Sequence, residues 1–266
     1  MSDHQLVRDG VTLVGYDAGE GPPVLFQHGL GGDNAQVAEV FPLQGYRRLT
    51  LECRAQGRSE AGDPALFSIP TFADDVLAFA DKRGIERFAV GGISMGAAIA
   101  LRIAVIAPQR VTALILGRPA WTWNSAPENM HAFVELADYL EAGDKEGFAN
   151  TPTARHFAVH APDNLASMIG FFQKANPQTN AALLRAIAAS GPEITGQNVR
   201  YITVPTLILG TAMDLVHPLS HAQSLASAIP NAKLAEIAPK ALDRAKHAEE
   251  FSTAVADFLN AKGHLN

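Results

Sequence analysis

The stretch Arg87–Ile106 reads RFAVGGISMGAAIALRIAVI. Its first part, Arg87 to Gly92, has the apolar character of a buried strand, and the alanine-rich run from Met95 to Ile106 reads as a helix. Between them, Gly92-Ile93-Ser94-Met95-Gly96 places a serine in a tight turn with glycine on either side. A larger side chain at 92 or 96 would collide with the neighbouring strand or helix. Such a turn lifts the hydroxyl above the sheet edge, where the first amides of the helix are free to donate.

Outward from this turn the chain alternates strands and helices. Val11–Ala18, Val24–Gln27, Arg47–Cys53 and Val111–Leu116 read as strands, and Thr71–Arg83 carries Phe72, Val76, Phe79 and Ala80 at helical spacing. Thr206–Leu209, a helix at Leu219–Ala228, Lys233–Ile237 and a helix at Ala245–Leu259 resume the alternation near the end. This pattern predicts an α/β fold with a mostly parallel sheet covered on both faces. The span 119–197 breaks it, showing only helical segments near Glu128–Ala142, Asp163–Lys174 and Thr179–Ser190. A connection that long suggests a helical cap inserted into a core formed by 1–118 and 198–266. The plainer reading is a set of ordinary crossover helices.

Composition narrows the function. The 266 residues carry 21 basic and 27 acidic side chains, a net charge of −6, with no basic block of the kind a nucleic-acid binder shows. No apolar run is long enough to predict a membrane span, and the N-terminus lacks a basic-then-apolar signal pattern. Cys53 is the single cysteine, which excludes an intrachain disulfide and a cysteine zinc site. His156 and His160 have a helical metal spacing but no third ligand, so no metal and no cofactor is expected. The expectation is a soluble cytoplasmic protein, without nucleic-acid or membrane partner and of undetermined oligomeric state.

Several motifs together resemble the α/β-hydrolase superfamily over nearly the whole chain. They are His28-Gly29-Leu30-Gly31-Gly32 after the third strand of that fold, Arg54 with Gly57-Arg58-Ser59 after the fourth, the Ser94 turn after the fifth, and Asp214 in Asp214-Leu215-Val216-His217-Pro218. Where the family loop after the fourth strand reads D-x-R-G-x-G, this chain has Glu52-Cys53-Arg54-Ala55-Gln56-Gly57, with Ala55 in place of a glycine. The resemblance implies Ser94 as nucleophile, Asp214 as the acid that orients the base, and the backbone amides of Leu30 and Met95 as an oxyanion hole. His28 then braces the oxyanion loop.

The base is the open position. The family histidine would fall near Ala241, where this chain has none. His247 is the only histidine in that region, and it lies four residues before Phe251, on the same helix face. It is the expected base. His217, three residues after Asp214, and a histidine lost at position 241 are the alternatives. At the end of a central strand, Arg118 could read a substrate carboxylate or pair with a loop acid. Trp121 is expected to line the pocket.

These features predict a serine hydrolase, an esterase or lactonase, that takes a small-molecule substrate, anionic if Arg118 reads it, through an acyl-enzyme. A carbon–carbon bond hydrolase is the rival chemistry. A ligand-binding relative without turnover is the rival class, if the base is missing.

Overall fold

A computed structural model describes residues 2–41 and 45–261; Met1, 42–44 and 262–266 of the expected core lie outside the described residues. Among the described residues, eight strands form one sheet: β1 (Ser2–Arg8), β2 (Val11–Ala18), β3 (Pro23–Gln27), β4 (Arg47–Leu51), β5 (Phe88–Ile93), β6 (Val111–Gly117), β7 (Thr206–Thr211) and β8 (Ala232–Ile237). Their spatial order is β1-β2-β4-β3-β5-β6-β7-β8. β2 runs antiparallel to both its neighbours, and every other pairing is parallel.

Helices cover both faces. They are α1 (Asn34–Val40), α2 (Ile69–Lys82), α3 (Met95–Ile106), α4 (His131–Ala142), α5 (Lys145–Ala149), α6 (Pro152–His160), α7 (Pro162–Gly170), α8 (Pro177–Ala189), α9 (Gly196–Arg200), α10 (Leu219–Ala228) and α11 (Arg244–Asn260). Successive residues of the central strands alternate between two apolar clusters. Leu25, Val90 and Leu114 pack with α2 and α3, whereas Phe26, Ala89 and Ile115 pack with α1 and α11. A strand buried on both faces has no polar side to show, which is why β5 is buried at every position.

Between β6 and β7 the described chain runs through helices only, α4 to α9 with short 3-10 turns. Leu136, Leu140, Leu184 and Ile187 of this segment share one cluster with Phe72, Val76 and Ile99 of α2 and α3. The inserted helices and the sheet therefore share a continuous core. Among the described residues no helix is long and apolar enough to cross a membrane.

Three features depart from the sequence expectations. β1 was not foreseen; it is an edge strand with Leu6 buried and Val7 exposed, too polar to show a strand pattern. The fourth strand stops at Leu51, two residues early, because Glu52 turns its carboxylate to the amides of Asn34 and Arg58. The short helices α1, α5, α6 and α9 rest on local caps, such as Asp33 accepting from the amides of Ala35 and Gln36. Cys53 is buried, its amide donates to His28 Nε2 at 3.0 Å, and burial together with the charges of Asp75 and Glu52 pushes its thiol well above the ordinary range.

Candidate active site

Ser94 sits at φ 56° and ψ −112°, a backbone conformation that side chains rarely adopt. The turn closes only because its flanks are bare: a methyl on Gly92 would overlap the Gly96 carbonyl group, and one on Gly96 would strike the Gln27 carbonyl. The Ser94 amide donates to Gly117 O at 2.9 Å, which ties the turn to β6. Met95 opens α3, so its amide has no partner within the helix.

The loop after β3 faces this turn. Its amides are aimed by side chains: Gly29 N donates to Gln36 Oε1 and Gly31 N to Gln56 Oε1, each at 2.7 Å. Gly31 has φ 73°, and a methyl there would overlap the Phe171 ring. His28 is fully buried. Its Nε2 accepts from Cys53 N, so the ring proton is on Nδ1, which donates to Gly29 O at 2.8 Å. Burial lowers its pKa, and both nitrogens are spent on holding the loop.

Asp214 follows β7 in a tight turn and divides its two oxygens between two partners. Oδ2 accepts from Arg118 Nε at 2.8 Å and Nη2 at 2.6 Å. Oδ1 accepts from the His217 amide at 3.0 Å and from His217 Nδ1 at 2.8 Å. Burial alone would raise the Asp214 pKa, but the charge of Arg118 and the His217 contact overcome it and keep the carboxyl ionised well below its usual range. Arg118 holds its place at φ 47°, with its amide on Leu209 O at 2.8 Å.

This network fixes the His217 tautomer. Nδ1 carries the proton that goes to Asp214, so Nε2 is the unprotonated nitrogen. The 3.3 Å approach of Arg118 Nη2 to Nδ1 is then a close contact without an acceptor. Nε2 is buried and has no hydrogen-bond partner among the described residues. Burial lowers the His217 pKa, Asp214 pulls it back up, Arg118 pushes it down again, and the net shift is downward.

Ser94, Leu30, Arg118 and His217 line one cavity of about 320 Å³. Met130, Phe133, Asn164 and Phe171 of the helical segment, with Val216, close much of the rest. A more open groove of about 710 Å³ carries His131, His156 and His221 but shares no residue with this cavity and holds no serine.

The structure does not bring His247 to Asp214. The ring is buried on the inward face of α11, 6.4 Å from the Phe251 ring, as the helix spacing implies. Its Nδ1 lies 2.8 Å from Ala238 O, however, and it does not line the Ser94 cavity. The residue that reaches Asp214 is His217, the alternative in the sequence. A signal for it was present: in Asp214-Leu215-Val216-His217, an aspartate capping a turn accepts from the amide three residues on and so draws that residue's side chain alongside. Trp121 is also elsewhere. It is buried in the core, donates from Nε1 to Ser190 O at 3.0 Å, and is not among the cavity-lining residues. Arg118 does line the cavity, but its Nε and Nη2 are taken by Asp214.

The mostly parallel sheet covered by helices on both faces agrees with comparison to known proteins. The family described as the alpha/beta hydrolase fold matches residues 22–241. The chain belongs to the α/β-hydrolase family. The putative carbamate hydrolase RutD of Rhizobium rhizogenes is 29% identical over 262 residues, covering 94% of this chain and 97% of that protein. RutD of Klebsiella pneumoniae is 30% identical over 229 residues, covering 81% and 82%. Among solved structures, Est816, described as an N-acyl homoserine lactone degrading enzyme, superposes with a TM-score of 0.74 at 25% identity, covering 96% of this chain and all of that one. The enol-lactonase of Burkholderia xenovorans superposes equally well, at 0.74 and 24% identity over 96% and 99% of the two chains, and shows the shared fold. The family and these relatives support a hydrolytic enzyme.

Proposed function

We propose that this α/β-hydrolase is a serine hydrolase of small carboxylic esters or lactones, with Ser94 as nucleophile, His217 as base and Asp214 as the acid that orients it. One observation carries the reading. His217 gives its protonated nitrogen to Asp214, and its bare Nε2 is buried and unpartnered among the described residues, in the group that lines the Ser94 cavity. In the reaction, Nε2 takes the Ser94 proton as Oγ bonds to the carbonyl carbon, and the oxyanion that forms accepts from the amides of Met95 and Leu30. Collapse breaks the bond to the alkoxy oxygen, which takes the proton from Nε2. In a lactone that alcohol stays tethered to the acyl group. Water then loses a proton to Nε2 as its oxygen bonds to the acyl carbon, and collapse breaks the bond from that carbon to Ser94 Oγ, which takes the proton back from Nε2 as the acid leaves. A positioned base contributes roughly 10²–10⁴ in rate, and one oxyanion donor roughly 10²–10³. Asp214 stays ionised throughout, with Arg118 holding its second oxygen. The helical segment 119–197 acts as the cap that walls the site from water.

The RutD likeness favours a second substrate for the same residues, a carbamate, attacked at its carbonyl to give a carbamoyl-serine. Both readings predict turnover that Ser94→Ala abolishes and a fluorophosphonate adduct mapped to Ser94. A panel of p-nitrophenyl esters, lactones and carbamates separates them. Turnover that survives Ser94→Ala would sink both. An inert protein whose Ser94 never labels would support the ligand-binding relative instead.

A further inference from the structure

We propose that Lys240, helped by Lys174, reads a carboxylate on the substrate, and that Asp163 occupies Lys240 until that carboxylate arrives. The inference rests on the Ser94 cavity being the substrate site. Among the described residues, the lining of that cavity contains three cationic side chains, Arg118, Lys174 and Lys240, and no aspartate or glutamate. The three differ in how firmly they are held. Arg118 is locked to Asp214 by two short bonds, with side chains only 9% and 3% exposed. Breaking such a pair would strand a buried charge, so Arg118 is not free to serve a ligand.

Lys240 is held loosely. Its one ion-pair contact among the described residues is from Nζ to Asp163 Oδ2 at 3.2 Å, and both side chains keep about a fifth of their surface in water, 22% and 20%. The contact spans from the loop after β8 to the first turn of α7, so it closes the sheet's edge against the helical segment. Asp163 can turn to solvent without being stranded, and an ammonium has three donors to re-aim. Lys174 is exposed, lies 5.7 Å over the Phe171 ring and makes no ion pair among the described residues. An anion entering here meets one free cation and one with an exchangeable partner, beside the apolar rings of Phe133 and Phe171. Those features select a small ester or lactone that carries a carboxylate, such as a half-ester of a dicarboxylic acid.

Binding tests this without turnover. Titration calorimetry at low salt with succinate, and with its uncharged diamide, should show binding of succinate alone. Lys240→Met should weaken it roughly ten- to hundredfold, the loss expected for a charge-assisted hydrogen bond. Asp163→Asn should tighten it, because the competing carboxylate is gone, and a purely structural ion pair predicts no such gain. The idea is overturned if succinate does not bind, if the diamide binds equally well, or if Lys240→Met, folded with an unchanged melting temperature, binds succinate like the parent protein. It is also overturned if Asp163→Asn, equally folded, fails to tighten binding. The Ser94 reading is judged separately, by fluorophosphonate labelling, so each can fail alone.

Discussion

An imidazole accepts a proton only while neutral, and the groups around His217 keep it so. Burial and the nearby Arg118 charge lower its pKa, more than Asp214 raises it. In the proposed mechanism the active form is the unprotonated one, so kcat/KM should hold level as pH falls through the ordinary histidine value of about 6.5 and decline only below it. Arg118→Gln removes a cation that disfavours imidazolium, so the declining limb should move to higher pH. A limb that stays in place would show that Arg118 only packs. At neutral pH, His217→Ala should lower kcat by several orders of magnitude, and His247→Ala should cost far less, since its Nδ1 is engaged with Ala238. The reverse ranking in steady-state assays would return the base to His247.

At the scale of elements, the turn after β4 shows how a departure from the family pattern is absorbed. Ala55 adopts φ 60°, the left-handed region in which a β-carbon is strained. The turn delivers Gln56, whose Oε1 holds the Gly31 amide in the loop beside Ser94. Ala55→Gly should relieve the strain while loosening the unfolded chain, for a net gain of at most about 1 kcal/mol in urea unfolding, with activity unchanged. A loss of stability would mean that the methyl contributes more by packing than it costs in strain. What the sequence showed and what it hid both follow from local physics. Glycines at 92 and 96, an apolar strand and an alanine-rich helix permit little besides the Ser94 turn, so that element was legible. The position of Asp214, in a turn just past a buried strand, was legible too. His217 was harder, because choosing between it and His247 depends on which ring the Asp214 turn captures, and helix periodicity carries no information about a turn. Trp121 sat at a boundary where core and pocket look alike in composition.

On the scale of the whole molecule, the helices between β6 and β7 are fused to the sheet through shared apolar residues, and Trp121 is one of the joints. Trp121→Phe removes its bond to Ser190 O and some packing, and should lower stability by about 1–2 kcal/mol in denaturant unfolding while leaving KM unchanged. A shift in KM would place the indole in contact with substrate. The solitary Cys53 is buried just past the end of β4, against His28 of the loop that faces Ser94. The residue is 1% exposed, and burial holds its side chain as the thiol rather than the reactive thiolate. An alkylating reagent can reach it only when the core opens, so the pace of modification in native buffer becomes a clock for that opening, read by mass without any introduced label.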